Sequence, residues 1–133
     1  MILGAAAAAV TFAVTGPAPA SAGPGGSCAN TAFCLYENTN YNTGNTDHWR
    51  NFYASDQDFR NNVWLDREGR ATSDGMDNEA SSVKNYTNCV VTLYQHPGYS
   101  GAATTFILKG QERPNLSREG IGDNRASSVR FNC

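Results

Sequence analysis

Residues 76–89 read MDNEASSVKNYTNC, and residues 122–133 read GDNRASSVRFNC. Set side by side, the octets 77–84 and 123–130 agree at six of eight positions, and the eighth keeps its positive charge. Upstream of each octet lies an aromatic stretch, LYENTNYNTG at 35–44 and LYQHPGYSG at 93–101, each with Leu-Tyr, four residues, a second Tyr and then Gly. The repeating unit therefore runs from aromatic hairpin to DNxASSV, twice over, and a self-similar unit of this size is one supersecondary element that must pack against its copy. From Tyr36 to Asp77 is 41 residues and from Tyr94 to Asp123 is 29, so the first copy carries 12 extra residues, expected within 48–70.

The pattern between these landmarks is that of strands. FCLYE (33–37), SVKNY (82–86), CVVTLYQ (89–95), TTFIL (104–108) and SVRFN (128–132) are short, rich in Val, Thr and aromatics, and partly alternating. Asn, Gly, Pro, Asp and Ser clusters separate them, and only QDFRNNVWLD at 57–66 offers as much as one helical turn. The chain is expected to be all-β.

Charge is absent from the first 36 residues and begins at Glu37. The apolar run 2–14, followed by a Pro-broken stretch ending in Ala20-Ser21-Ala22, reads as a secretory signal over 1–22, leaving 23–133 as one domain. No basic residue precedes that run, so the true start is expected upstream. Ten basic and twelve acidic residues, net charge −2 and interspersed without runs, argue against nucleic acid or an anionic membrane as partner.

Four cysteines in an exported chain imply two disulfides, and three pairings are open on count alone. Neither they nor the two histidines, His48 and His96, have zinc-site spacing. Both histidines read as solvated turn residues, no Ser, His and Asp set is supported, and the chain is read as a non-enzyme. Trp49, Phe52, Tyr53, Phe59 and Trp64 read as core.

Tyr-x4-Tyr-x-Gly followed by Asp-Asn-x-x-Ser-Ser is similar to the signature of the βγ-crystallin Greek key. The CLYE, NYN, DFRNN and DNxASSVKNY stretches and the flanking cysteines more closely resemble the secreted actinobacterial peptidase inhibitor family thirty-six, whose type member inhibits metalloproteinases. The resemblance covers 28–133 and implies two Greek-key motifs, about 30–87 and 88–133, forming one βγ-crystallin-like β-sandwich. One departure is visible: the first hairpin carries one residue more before its glycine, Gly44, than the second does before Gly101.

In such a Greek key the fourth strand returns antiparallel to the first, which sets Cys89 opposite Cys133 and leaves Cys28 with Cys34. The family also gives the octets their chemistry. Each calcium site takes a carbonyl from the third position, a hydroxyl from the fifth, and an Asp or Asn side chain from the other copy. Carried over, one site would use the Glu79 carbonyl and Ser81 hydroxyl with Asp123 or Asn124. The other would use the Arg125 carbonyl and Ser127 hydroxyl with Asp77 or Asn78. These are hard oxygen donors of the kind calcium takes, and two ions are expected. Ser82 and Ser128 would hold the folded-over hairpins.

Asp-Asn before Ser-Ser is also an ordinary turn entering a strand, and it is the duplication that favours calcium. The family implies a monomeric, secreted inhibitor of a metalloproteinase. The competing reading is a calcium-stabilised extracellular module without inhibitory activity. For the inhibitor, the exposed part of 45–75 is the expected contact region, because it breaks the repeat.

Overall fold

The computed structural model describes residues 27–133; the expected signal at 1–22 lies outside them. Among the described residues nine strands form two sheets. They are β1 (Phe33–Tyr36), β2 (Trp49–Phe52), β3 (Val63–Leu65), β4 (Ala71–Gly75), β5 (Ser82–Asn85), β6 (Val90–His96), β7 (Ser100–Phe106), β8 (Gln111–Arg113) and β9 (Ser128–Asn132). One sheet runs β4-β3-β2-β1-β5-β8 and the other β7-β6-β9.

Both copies use the same wiring. β1 pairs antiparallel with β2 and with the returning β5, in register Leu35↔Val83; β6 pairs antiparallel with β7 and with the returning β9, in register Leu93↔Val129. A segment of each motif then crosses to the partner sheet, as a strand in the second motif and as a single bridge in the first. β8 of the second motif pairs with β5 through Val83↔Arg113, and Asp56 of the first bridges Val129. This exchange ties the two Greek keys into one sandwich.

The inward faces follow from the period of two along a strand. Phe33, Leu35 and Val83 from one sheet meet Val91, Leu93, Phe106 and Val129 from the other, with Phe59, Trp64, Leu116 and the paired Ala80 and Ala126 filling the layer. Burying a single large apolar side chain of this kind is worth about 1.5–3 kcal/mol. A smaller cluster of Ala29, Ala32, Cys34, Tyr36 and Trp49 packs separately.

The two disulfides are Cys28–Cys34 and Cys89–Cys133, with Cα separations of 5.7 and 4.3 Å. Cys89 and Cys133 immediately flank the Val90↔Asn132 pair of β6 and β9, so the bridge closes the end of the ladder that the Greek key predicts.

Four strands escape the sequence pattern: β2, β3, β4 and β8. The extra length of the first copy is also placed differently. In each copy a single 3-10 turn is capped by a side-chain carboxylate or amide, Asp58 accepting from Arg60 N and Asn115 from Ser117 N. Gly44 to Asp58 and Gly101 to Asn115 are equal in length, and eleven of the twelve extra residues fall between Asp58 and Asp77, where β3 and β4 form a hairpin reaching Gly75, beyond 48–70. The twelfth is the additional hairpin residue. Asn40, Tyr41 and Asn42 absorb it in a left-handed turn with φ of 53°, 57° and 58°. Buried Asn42 pins that turn by accepting from Asn38 N and donating to the Asp47 and His48 carbonyls. Asn tolerates this region better than most residues.

Candidate functional site

The octets leave the core at two equivalent points and meet each other. Asn78 N donates to the Ala126 carbonyl at 3.0 Å, and Asn124 N donates to the Ala80 carbonyl at 3.1 Å. Asn78 and Asn124 both take positive φ, 60° and 55°. That turn sends each Asn side chain across to the other copy. The Ser81 hydroxyl donates to Asn124 Oδ1 at 3.3 Å, and the Ser127 hydroxyl donates to Asn78 Oδ1 at 3.0 Å. Of the two alternatives open at each position, it is Asn124 that reaches Ser81 and Asn78 that reaches Ser127. The sequence alone could not choose between neighbours one residue apart.

Asp77 and Asp123 stand beside these crossings. Each accepts from the amide of the next Asn through Oδ2, at 3.1 and 3.3 Å. Oδ1 of each is buried and has no hydrogen-bond partner. A bare buried polar atom costs roughly 1–3 kcal/mol, and more for a charged group. The ensemble of hydroxyls, amide oxygens and carboxylates is suited to a hard cation, not to proton transfer or nucleophilic attack.

Glu79 and Arg125, the third positions, point their side chains elsewhere. Trp64 Nε1 donates to Glu79 Oε2 at 2.8 Å, so the carboxylate serves a buried indole, while Arg125 is exposed. Ser82 and Ser128 take the expected hairpin role. Ser82 Oγ donates to the Asn38 carbonyl and accepts from Tyr41 N; Ser128 Oγ donates to the His96 carbonyl and accepts from Tyr99 N. Here glycine matters once: a Cβ on Gly101, at φ 85°, would sit 2.5 Å from the His96 ring.

A model of peptidase inhibitor family I36 matches residues 21–106. The chain belongs to peptidase inhibitor family I36. Membership makes it an inhibitor-type protein and not an enzyme. Among solved structures it is similar to a βγ-crystallin domain described in terms of the evolution of the eye-lens fold. That likeness has 18% identity over 77% of this chain and 86% of that one, with a TM-score of 0.59. It is also similar to a βγ-crystallin from Ciona intestinalis, with 17% identity over 76% and 99% of the two chains and a TM-score of 0.55. A βγ-crystallin from an archaeon has 19% identity over 75% and 95%, with a TM-score of 0.52. At these identities the likeness shows the fold. No curated protein matches the sequence.

For a peptidase inhibitor the exposed apolar surface matters, and here three expectations change. Large hydrophobic side chains are exposed at Tyr53, Ile107 and Leu108. Tyr53, expected in the core, is 46% exposed, whereas Trp49, Phe52, Phe59 and Trp64 are buried. Ile107 and Leu108, expected in a strand, lie beyond β7 at 64% and 68% exposure. The strand ends because the Gln111 side chain takes both of their amides, Ile107 N at 2.9 Å and Leu108 N at 3.3 Å, and so replaces the ladder. His48 is the third correction: it is half-buried and paired with Glu37, not solvated.

Proposed function

We propose that this family member is a secreted inhibitor of a metalloproteinase that presents the Ile107–Leu108 loop to the enzyme and is rigidified by two calcium ions. The observation that carries the contact assignment is the pair of adjacent branched aliphatics held out from a stiff base. Gln111 fixes both amides, Gln111 N donates back to the Leu108 carbonyl, and Gly110 N donates to the Asn85 carbonyl. Asn85 is fully buried and donates in turn to the carbonyls of Phe106 and of Cys89, beside the Cys89–Cys133 bridge. A loop already ordered before binding avoids about 0.5–1.5 kcal/mol of entropy loss per immobilised side chain. Its chemistry suits an apolar specificity pocket.

Calcium is the second element of this reading. The Glu79 carbonyl, Ser81 hydroxyl and Asn124 would hold one ion, and the Arg125 carbonyl, Ser127 hydroxyl and Asn78 the other, with Asp123 and Asp77 supplying negative charge. The bound ion supplies positive charge to oxygens that otherwise have no partner. The support is the buried, unpaired Oδ1 of Asp77 and of Asp123. One carboxylate per copy fits the weak extracellular affinity range, about 0.1–1 mM.

Two disulfides and an inhibitor family point to export, and the signal at 1–22 is part of the same proposal. The test is an inhibition assay against secreted metalloproteinases, with wild type, Ile107→Asp, Leu108→Asp and a variant whose β3–β4 hairpin is cut to the second motif's length. Nanomolar inhibition lost in both aspartate variants, at unchanged melting temperature, is the expected result. Loss only in the shortened variant would move the contact to the inserted segment. No inhibition at micromolar wild-type protein would leave a calcium-stabilised binding module.

A further inference from the structure

A second cluster of metal-ligating groups lies apart from the octets. Glu37 follows β1, His48 precedes β2, and Asp74 sits in β4. The backbone of His48 is fixed on both sides. Its N–H donates to the Leu65 carbonyl at 2.8 Å, and its carbonyl accepts from Glu37 N at 3.1 Å and from Asn42 Nδ2 at 2.8 Å. Its Nδ1 contacts Glu37 Oε2 and lies 3.5 Å from Asp74 Oδ2, and all three ligand atoms fall within 4.8 Å of one another. The side chains are 27%, 28% and 42% exposed for His48, Glu37 and Asp74, so one side of the cluster opens to solvent.

The repeat shows that this grouping is not a requirement of the fold. Tyr36 pairs with Trp49 as Tyr94 pairs with Ala103, which makes Gln95 and Ala102 the counterparts of Glu37 and His48. Neither is a metal ligand of this kind. Asp74 comes from the hairpin that the second motif lacks altogether. The three groups therefore converge only where the inserted segment folds back on the first motif.

We propose that Glu37, His48 and Asp74 bind a divalent first-row transition cation of the zinc class, with water in the remaining positions, and that the ion clamps the β3–β4 hairpin to the first motif. Imidazole with carboxylates is a donor set such ions accept. Ligand atoms bound tetrahedrally at the usual distances lie about 3.3 Å apart, so the 3.5 Å between His48 Nδ1 and Asp74 Oδ2 is already suitable. Glu37 need only withdraw from Nδ1, whose lone pair then faces the ion, and the displaced proton goes to Nε2 or to solvent. Calcium at the octets uses none of these residues.

The test is zinc calorimetry on the calcium-saturated protein, with cobalt as a spectroscopic probe. Wild type is expected to take up one zinc ion, to raise its melting temperature with zinc, and to give a visible cobalt band. His48→Asn, which suits the positive φ of 65° at this position, and Asp74→Asn, on an exposed edge strand, should each weaken zinc binding at least tenfold and lose the melting shift. His96→Gln should bind as wild type does. Absence of zinc heat in wild type, or undiminished binding in His48→Asn, would overturn the proposal and leave a plain histidine–carboxylate pair.

Discussion

The Ser81 hydroxyl and the Asn124 side-chain carbonyl, 43 residues apart in the chain, stand 3.3 Å from each other. The mirror contact of Ser127 with Asn78 gives the two octets a pair of equivalent crossings, the frame of the two calcium sites proposed above. A cation bound only by the folded domain stabilises it by RT ln(1 + [Ca]/Kd), about 1.8 kcal/mol per site at 2 mM calcium and a Kd of 0.1 mM. For a domain near this size each kcal/mol is worth roughly 3–4 °C. Thermal melts in calcium against chelator should therefore differ by about 10–15 °C. Coincident melts would mean the octets are turns only.

Crossing would make the proposed calcium sites interdependent. Asn124→Gly keeps the positive φ but removes the oxygen that reaches Ser81. It should weaken the Glu79 and Ser81 site although it lies in the other repeat. Ser127→Arg should block the second site by size and charge. Calorimetric titration decides between this scheme and copies that each bind alone; in the latter case Asn124→Gly would spare the Ser81 site.

The two disulfides close rings of very different size, with sequence separations of 6 and 44. Loop-closure entropy assigns about 2.3 kcal/mol to the small ring and about 4 kcal/mol to the large one. Replacing Cys89 and Cys133 by Ser should cost more in denaturant unfolding than replacing Cys28 and Cys34. It should also loosen the adjacent Ile107–Leu108 base and reduce inhibition. The opposite order of stabilities would contradict the closing role of the β6–β9 bridge.

Tyr36 is fully buried and its hydroxyl has no hydrogen-bond partner. Burial, reinforced by Tyr86 and Glu112, pushes its pKa well above the ordinary value near 10, and Tyr86 is pushed up to about 12, mainly by its hydrogen bond to Glu112. The folded state thus favours both neutral phenols. Their stabilising effect is whole below the unfolded value near 10 and disappears as pH rises through the raised folded values. Tyr36→Phe should flatten part of this alkaline loss and, because the hydroxyl is bare, should be neutral or stabilising by about 1 kcal/mol at pH 7. A loss of more than about 2 kcal/mol would show that the hydroxyl has a partner after all.

Legibility followed the range of the forces involved. β5, β6 and β9 could be read to within a residue or two because their buried Val and Leu alternate against polar neighbours, a signal contained in a few residues. β8 is Gln-Glu-Arg and β4 is Ala-Thr-Ser-Asp-Gly; such edge strands pair through backbone, which leaves little trace in side chains. In TTFIL the apolar run outlasts the strand, since the captor of the Ile107 and Leu108 amides is a glutamine three residues further on.

The family resemblance, through its Greek-key return, implied the disulfide pairing; the sequence by itself determined the duplication, the all-β class and the residues of both octets. Each is written in local pattern or in a repeat that compares the chain with itself. Tertiary structure alone decided that Asn124 and Asn78 make the crossings. It also decided that Glu79 turns its carboxylate to Trp64, that the inserted hairpin brings Asp74 to His48 and Glu37, and that Ile107 and Leu108 stand in solvent. Those facts depend on how two sheets are set against each other, and contacts between residues far apart in the chain leave no periodicity to read.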